Sequence, residues 1–413
     1  MRILYVCHND PRLHAGGTEI FARELMRAVA RRPGVATFFI GGVDPLHRLR
    51  QAGTVFQTVD RGANDMLLWA GHFDPFFMQQ ADVFGVFTEF AEFLKEFEPD
   101  VVHFHHLLLI GVEAIALVRR LLPKARIVVT LHDYYPLCHH NGIMLKVPEL
   151  DLCDRPTPGA CARCFPDIPM NAFRLREINL KTHLSAVDRF VAPSRFLRDR
   201  YVAWGIDPDR VTVIRNGRAL PPPVPPRALP SGGRRDAFAV FGNVSPFKGT
   251  RVAVEAARLL MESGETDFTL TIHGGLDFQA DSFRQGFLDD VAAARRVVRH
   301  GGKYTADQVP RLIRDVDWVI IPSIWWENAP LVIQEAFHHG RPVLCGDIGG
   351  MAESVRDGVD GLHFARGNPD SLRAVLKRGL TEPGLWERLA GAIAPVVGID
   401  ECADGYWPLY TAS

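Results

Sequence analysis

Short apolar runs alternate with longer amphipathic segments along the first half of the chain. The apolar runs predict strands at 2–8, 35–40, 101–105, 126–132, 190–193 and 211–214. The amphipathic segments predict helices between them, for example at 18–32, 83–97 and 112–122. The runs VVHF and RIVVTL are continuous rather than alternating, which is typical of parallel strands covered on both faces.

A proline-rich segment, RALPPPVPPRALPSGGRR at 218–235, interrupts this alternation. Proline cannot continue a helix or a central strand, so the segment predicts a semi-rigid linker. The alternation then resumes, with strands predicted at 237–242, 268–273, 296–300, 318–322 and 342–345. Helices are predicted at 250–263, 306–316 and 330–339.

The pattern predicts an α/β protein with two Rossmann-like, doubly wound parallel-sheet domains. The N-terminal domain is predicted at 1–217, the linker at 218–235 and the C-terminal domain at 236–395, with 396–413 packing back on the N-terminal domain. A length of 413 residues suits two domains. Ligands of such folds bind at the carboxyl ends of the strands, so we expect both sheets to face a central cleft.

Composition and charge narrow the class of protein. Hydrophobic residues make up 47% of the chain and charged residues 23%, an ordinary globular balance. No apolar run approaches the ~20 residues of a membrane-spanning helix. The opening MRILYVCHND meets polar residues too soon for a secretory signal, so we expect a cytoplasmic protein. A net charge of -1 argues against a nucleic-acid partner.

The region 155–218 is locally basic, with 12 Lys and Arg against 6 Asp and Glu. One interpretation is a solvated helix face. The other is a basic surface that faces anionic lipid or a lipid-linked phosphate, as in peripheral membrane contact.

Glycine-rich turns after the first strand of each predicted domain are candidate ligand sites. Gly16 and Gly17 precede a helix that Thr18 can cap, and a helix N-terminus favours anions. The GxGxxG spacing of dinucleotide-binding turns is missing, which disfavours NAD. In FGNVSPFKGT, Lys248 precedes a helix start and can reach a pyrophosphate, although the spacing is not that of a P-loop.

Two carboxylates in WWENAPLVIQEAFHHGRPVLC form the strongest candidate motif. Glu327 is predicted in the loop after strand 318–322, where a carboxylate can bind sugar hydroxyls. Glu335 is predicted in the next helix, where it can accept both hydroxyls of a ribose. Because the surrounding stretch is apolar, a buried carboxylate there requires a partner.

These motifs together resemble the retaining GT-B-fold glycosyltransferases of family 4, over nearly the whole chain. They are GGTE near the start, TLHD at 130–133, VAPS at 191–194, VIRNG at 213–217, SPFKG at 245–249, ENAPLVIQEA, and GGMAESVRDGVDGLHF at 349–364.

The resemblance implies roles at matching positions. Glu335 would hold the donor ribose, Glu327 the transferred sugar and Lys248 the leaving diphosphate, while His132 would contact the sugar, with Asp133 beside it. A second cation usual in the family is replaced here by Asn243; backbone N–H groups at the first glycine turn, or an arginine elsewhere, would then substitute for its charge. The implied donor-binding set is Gly16, Gly17, Asn243, Lys248, Glu327, Asn328, Ala329, Pro330, Leu331 and Glu335.

The resemblance also implies a reaction. A hexose or other glycosyl group would move from a nucleoside-diphosphate sugar to a hydroxyl acceptor, with retention, by front-face attack and without a catalytic metal. The transition state is oxocarbenium-like, and the leaving phosphate oxygen would accept the acceptor's proton. Family members commonly build surface polysaccharide or lipid-linked glycans, which implies a glycan or lipid-linked glycan acceptor.

Four of the seven cysteines are grouped at Cys138, Cys153, Cys161 and Cys164, in a loop at 134–168. Their gaps are fourteen, seven and two residues, and the closing C-x-x-C is a metal-chelate spacing. We hypothesise a structural Zn²⁺ bound by four thiolates, in a loop that shapes acceptor binding. Free thiols and an oxidised or iron–sulfur arrangement are the alternatives.

Other functions remain as alternatives. A GT-B-fold phosphorylase or epimerase would use the same donor site. A sugar-nucleotide-binding protein without catalysis would share the two-domain shape. A zinc-dependent nucleic-acid binder built on the cysteine cluster is disfavoured by the near-neutral charge.

Overall fold

The chain is described by a computed structural model that covers residues 1–14, 16–60, 64–277 and 279–412. It divides into two compact units, the first formed by Met1–Ala219 with Val397–Ser413 and the second by Leu220–Val396. Positions 15, 61–63, 278 and 413, which the predicted domains include, lie outside the described residues.

Strands and helices are numbered along the chain. The strands are β1 (Arg2–Cys7), β2 (Ala36–Val43), β3 (Phe56–Gln57), β4 (Asp65–Trp69), β5 (Phe73–Asp74), β6 (Gln79–Gln80), β7 (Val101–Phe104), β8 (Arg126–Thr130), β9 (Arg189–Ala192), β10 (Val211–Val213), β11 (Ala237–Phe241), β12 (Thr269–His273), β13 (Val298–Gly302), β14 (Trp318–Ile321), β15 (Val343–Gly346) and β16 (Gly361–Phe364). The helices are α1 (Gly17–Ala30), α2 (Val83–Phe97), α3 (Glu113–Leu121), α4 (Pro158–Cys164), α5 (Met170–Leu184), α6 (Arg195–Trp204), α7 (Thr250–Glu262), α8 (Asp281–Ala293), α9 (Val309–Leu312), α10 (Leu331–His338), α11 (Gly349–Ser354), α12 (Pro369–Thr381), α13 (Leu385–Gly391) and α14 (Ile399–Thr411).

The first unit is built on a sheet ordered β10-β9-β8-β7-β1-β2-β4-β3. Its pairings are parallel except for β3 with β4. The central strands are buried on both faces, as their continuous apolar sequences predict. Strand order reverses at β1, which pairs with β2 on one side and β7 on the other.

Helix α14 is part of the first unit and packs on α1. Its tyrosines complete the polar contacts of the buried sheet. Tyr410 Oη lies 2.7 Å from His103 Nδ1, and His103 Nε2 lies 2.7 Å from Thr130 Oγ1. Both ring nitrogens of His103 are therefore satisfied, and this histidine is a core residue.

The second unit is built on an all-parallel sheet ordered β13-β12-β11-β14-β15-β16. This is the doubly wound order of nucleotide-binding folds, with its reversal between β11 and β14. The prediction of two Rossmann-like α/β units is therefore confirmed.

The proline-rich segment from Leu220 onward belongs to the second unit. Val224 N donates to His339 Nδ1 at 2.9 Å, and the buried Arg341 guanidinium donates to the Val224 carbonyl at 2.6 Å. Arg227 pairs with the buried carboxylate of Asp317 at 2.6 Å. Prolines leave carbonyls without a neighbouring amide donor, and here arginine supplies the donors.

Two local predictions are wrong. The helix predicted at 306–316 is a four-residue helix, α9, between two 3₁₀ turns, because Pro310 lacks the N–H that a continuous helix needs. The N-cap of α1 is Gly16 rather than Thr18, and no side chain caps it. Among the described residues, no helix has both the length and the apolar character required to cross a membrane.

Candidate active site

A pocket opens in the second unit where the strand order reverses. The carboxyl ends of β11 and β14 form its floor. It is lined by Val240, Phe241, Gly242, Asn243, Lys248, Ile320, Ile321, Pro322, Ser323, Glu327, Pro330 and Val332. Four predicted site residues are thus brought together: Asn243, Lys248, Glu327 and Pro330.

The turn that carries Lys248 is fixed by Gly249. Gly249 has a φ of 63°, and a Cβ there would lie 1.9 Å from the Pro322 carbonyl oxygen. Only glycine therefore lets the turn after β11 press against the end of β14. Helix α7 starts immediately afterwards, two residues after the pocket residue Lys248, so the positive end of the helix dipole is close to the pocket.

Glu327 is the centre of a hydrogen-bond network. Its Oε1 accepts from Lys248 Nζ at 2.6 Å, from Ser323 Oγ at 2.7 Å and from Trp325 Nε1 at 3.0 Å. The Glu327 side chain is 8% exposed and the Lys248 side chain 40% exposed. The pair therefore buries its negative partner and presents its positive partner to the pocket.

The loop after Glu327 is held by α11. Gly350 N donates to the Glu327 carbonyl at 2.7 Å, and a Cβ on Gly350 would lie 1.6 Å from the Asn328 carbonyl oxygen. Asn328, Ala329 and Leu331 do not line the pocket. Gly350 lies in the quoted GGMAES motif, but its contact with a loop over twenty positions earlier has no sequence signal.

Glu335 is half-buried on α10 and is outside the pocket lining. Burial, and then the nearby Glu335 carboxylate, raise the pKa of Tyr304. The Tyr304 ring lies 5.8 Å, centroid to centroid, from the ring of Phe241, which lines the pocket, so Glu335 lies near the pocket without lining it.

Gly16 and Gly17 lie in the first unit, at the start of α1. A Cβ on Gly16 would lie 2.4 Å from Glu19 Oε2, so glycine leaves room for a carboxylate folded back on the helix start. Glu19 is 2% exposed and its Oε1 lies 3.0 Å from His8 Nε2. Burial raises the pKa of Glu19 to about 7.

His132 and Asp133 follow β8, next to the two histidines that follow β7. His132 Nε2 lies 3.1 Å from His105 Nδ1, and burial lowers the pKa of His132 to about 3. His106 Nδ1 accepts from Leu108 N at 2.9 Å, so its Nε2 donates to Asp133 Oδ2 at 2.7 Å. Burial opposes ionisation of Asp133, but the interaction with His106 lowers the pKa of Asp133 to about 2.

His8, His105, His106 and Glu19 were not singled out from the sequence. They gather because β1 and β7 are adjacent strands whose carboxyl ends meet. Within the described residues, one group of three possible metal ligands has its ligand atoms within 4.8 Å of one another. This group is Cys7, His8 and Glu19. Burial raises the pKa of the Cys7 thiol well above its usual range.

The four grouped cysteines lie in the first unit between β8 and α5. Cys138 and Cys153 precede α4, while Cys161 and Cys164 lie within it. All four are partly buried.

Comparisons with known proteins agree with this geometry. The model of Glycosyltransferase Family 4 matches residues 15–220, and that of Glycosyl transferases group 1 matches residues 235–382. The D-inositol 3-phosphate glycosyltransferase of Thermomonospora curvata is 28% identical over 67% of this chain. The match covers 66% of the length of that relative, which is just under two thirds. That of Nocardiopsis dassonvillei is 27% identical over 95% of this chain and 89% of its own length.

Among solved structures, Anabaena HepE (Alr3699) in complex with UDP and glucose has a TM-score of 0.64 at 16% identity. The match covers 100% of this chain and 96% of HepE. At this identity the likeness establishes the fold.

Proposed function

The chain belongs to glycosyltransferase family 4, and we propose that it transfers a sugar, with retention, from a nucleoside-diphosphate sugar to a hydroxyl acceptor. One observation carries the proposal: the contact of Lys248 with Glu327 at the strand reversal of a doubly wound sheet. It pairs a cation for phosphate with a carboxylate for sugar hydroxyls in one pocket.

In this reaction Lys248 stabilises the leaving diphosphate. Negative charge on that group grows as the glycosidic bond breaks, so an exposed ammonium binds the transition state more tightly than the ground state. The N–H groups at the start of α7 add positive potential where Asn243 brings no charge. With these groups in place we propose a metal-independent hexosyl transfer.

Glu327 orients the transferred sugar. Three donors fix its Oε1, which leaves the second carboxylate oxygen to accept from sugar hydroxyls. Glu335, on α10, holds the donor ribose through two hydrogen bonds. His132 contacts the sugar as a neutral imidazole, since burial keeps its pKa at about 3. The leaving phosphate oxygen accepts the acceptor's proton.

The acceptor is a glycan or lipid-linked glycan in surface polysaccharide assembly, used at the cytoplasmic face of a membrane. Support comes from α5, where Met170, Leu175 and Ile178 are 56–57% exposed on a helix that also carries the exposed Arg174. Apolar side chains mixed with cations favour an anionic lipid surface. The fraction of protein that floats with anionic liposomes should fall for the double variant Leu175→Ser, Ile178→Ser. It should stay unchanged for the control Leu49→Ser.

Donor binding is tested by thermal shift against UDP, GDP, TDP, ADP and CMP, with UDP first because the HepE structure contains it. We expect one nucleoside diphosphate to stabilise the protein. In the Glu335→Ala variant the binding free energy of that nucleotide should fall by roughly 1–3 kcal/mol. The control Glu382→Ala alters an exposed carboxylate paired with Arg378 and should bind normally.

Transfer is tested by incubating the stabilising nucleotide's sugar conjugates with candidate acceptors, including D-inositol 3-phosphate, the acceptor in the relatives' names. NMR of the product reports the anomeric configuration. Inversion would contradict the retaining mechanism, and donor binding without transfer to any hydroxyl acceptor would favour the sugar-nucleotide-binding alternative.

A further inference from the structure

Four cysteines that the proposed reaction does not use converge in the first unit. Cys138 lies in a turn, and its backbone N–H donates to the Tyr134 carbonyl at 2.8 Å. Leu145 and Leu152 then form an antiparallel bridge that folds the following segment back on itself. Cys153 comes directly after this bridge, so residues fifteen positions apart in sequence return to the same place.

One peptide joins the first two cysteines. The Met144 carbonyl accepts from Cys153 N at 2.9 Å, and the Cys138 carbonyl accepts from Gly142 N at 3.0 Å, two residues before Met144. The turn that follows Cys138 and the backbone of Cys153 therefore meet at the Met144 peptide.

The other two cysteines share a face of α4. Cys161 and Cys164 are three positions apart on a helix that starts at Pro158 and is capped by Thr157 Oγ1. The ring of Phe165, which follows Cys164, lies 5.0 Å from the His139 ring and 6.2 Å from the His140 ring, measured between centroids. The end of α4 therefore lies beside the turn that carries Cys138.

A buried cation lies beside the group. The Arg176 guanidinium on α5 is 4% exposed and donates to the backbone carbonyls of Phe76, Tyr135 and Pro136. Pro136, whose carbonyl accepts from this guanidinium at 2.6 Å, is two positions before Cys138, so the cation lies beside the turn that carries Cys138. A metal ion with four thiolates has a net charge of −2, which this arginine partly offsets.

We propose that Cys138, Cys153, Cys161 and Cys164 bind one structural Zn²⁺ ion that fixes segment 134–168 against α5. Four thiols lose their protons to solvent as four Zn–S bonds form, with no change of oxidation state. The Sγ atoms of a Zn–thiolate tetrahedron lie about 3.8 Å apart, given Zn–S bonds of about 2.3 Å. No three of these thiols lie within 4.8 Å of one another in the present structure, so metal binding must draw the thiols closer together.

The test measures metal in the full-length protein purified without chelator. We expect about one zinc per chain in the wild type and almost none in the Cys161→Ser, Cys164→Ser double variant. Cys402→Ser is the matched control, because serine keeps the hydrogen bond that this buried thiol donates to the Arg215 carbonyl, outside the cluster. The control should retain its zinc.

Two further measurements keep the outcome decisive if the double variant does not fold. Co²⁺ exchanged into the wild type should give thiolate charge-transfer bands, and removing zinc should expose segment 134–168 to protease. Zinc below about half an equivalent, iron in its place, or a disulfide between any of the four cysteines would overturn the site. Nucleotide binding by the second unit should persist without zinc, so this outcome is independent of the proposed transfer activity.

Discussion

Polar pairs of opposite orientation lie at the carboxyl ends of the strands in the two large sheets of this chain. In the second unit the carboxylate of Glu327 is buried and Lys248 is the more exposed partner. In the first unit His106 is buried, with a side chain 6% exposed, and the Asp133 carboxylate is the more exposed partner at 26%. The same topology therefore presents a cation at one edge and a carboxylate at the other.

We propose that the difference reflects what each edge binds. A cation beside a helix N-terminus attracts a diphosphate. The Asp133 carboxylate instead accepts hydrogen bonds, which suits the hydroxyl donors of a sugar. Burial lowers the pKa of His8, His105 and His132, so these rings add no positive charge to the first edge.

The largest expected effect comes from removing the exposed cation. Lys248→Ala should lower turnover by roughly 10²–10³, the range found when one donor to a transition-state anion is lost. Donor affinity should change less, because the charge on the diphosphate grows in the transition state. Initial rates measured over a range of donor concentrations separate the effect on turnover from the effect on donor affinity.

The control Lys303→Ala removes another ion-paired lysine of this unit and should leave turnover unchanged. Full turnover in Lys248→Ala would show that Lys248 has no part in the mechanism.

The second effect concerns the pH dependence of stability in the first unit. Glu19 has a folded pKa of about 7, above its unfolded value, so the folded protein keeps a proton that the unfolded chain releases. Stability from this group is therefore lost as pH rises from about 4.5 to 7, by at most about 3 kcal/mol.

Glu19→Gln should remove that loss. The stability of the variant relative to wild type should rise between pH 4.5 and 7, as urea unfolding at a series of pH values measures. His8, whose pKa burial lowers, contributes with the opposite sign; because its Nε2 lies 3.0 Å from Glu19 Oε1, the same pH series on a His8→Gln variant measures its share. Glu92→Gln, at an exposed ion pair, is the control. A difference that does not vary with pH would mean that Glu19 is ionised in the folded protein.

The third effect tests the loop that holds Glu327. Gly350→Ala would place a Cβ 1.6 Å from the Asn328 carbonyl oxygen, so α11 and the loop must separate. We expect a loss of about 1–3 kcal/mol in unfolding free energy, typical of overpacking. The turnover number for sugar transfer should also fall. Gly391→Ala, where no atom lies within 4 Å, should leave both unchanged. Normal turnover in a destabilised Gly350→Ala would separate the loop from catalysis.

The sequence predicts the strands of both sheets well because central parallel strands are buried on both faces. It misses the edge strands β3 (Phe56–Gln57) and β16 (Gly361–Phe364). It also misses β4 (Asp65–Trp69), which lies next to the edge of the first sheet and pairs with only two residues of β3. It also misplaces the cap of α1, since the buried Glu19 carboxylate rather than Thr18 lies against Gly16. Such contacts depend on packing that a local pattern does not contain.

The site was predicted in its parts and not in its connections. Lys248, Glu327 and His132 stand out by type and position, but the hydrogen bond between Lys248 and Glu327 joins residues 79 positions apart. Ser323 and Trp325, which complete the network, look like ordinary loop residues in the sequence. The histidines after β7 are two adjacent rings with different roles, and only the strand neighbours reveal which one contacts Asp133.

The smallest expected effect sharpens the comparison by strengthening the positive edge. Asn243 is exposed on the pocket lining, at the position where the family resemblance implies a second cation. Asn243→Lys should tighten nucleoside-diphosphate binding by about two- to fivefold, as an exposed charge pair of up to about 1 kcal/mol would do. The gain should fade as salt is raised, because exposed charges are screened. Asn243→Gln keeps the amide and controls for side-chain length. Calorimetric titration with the nucleoside diphosphate at low and high salt distinguishes these outcomes. Equal affinity of Asn243→Lys and wild type at low salt would mean that the diphosphate binds away from this position.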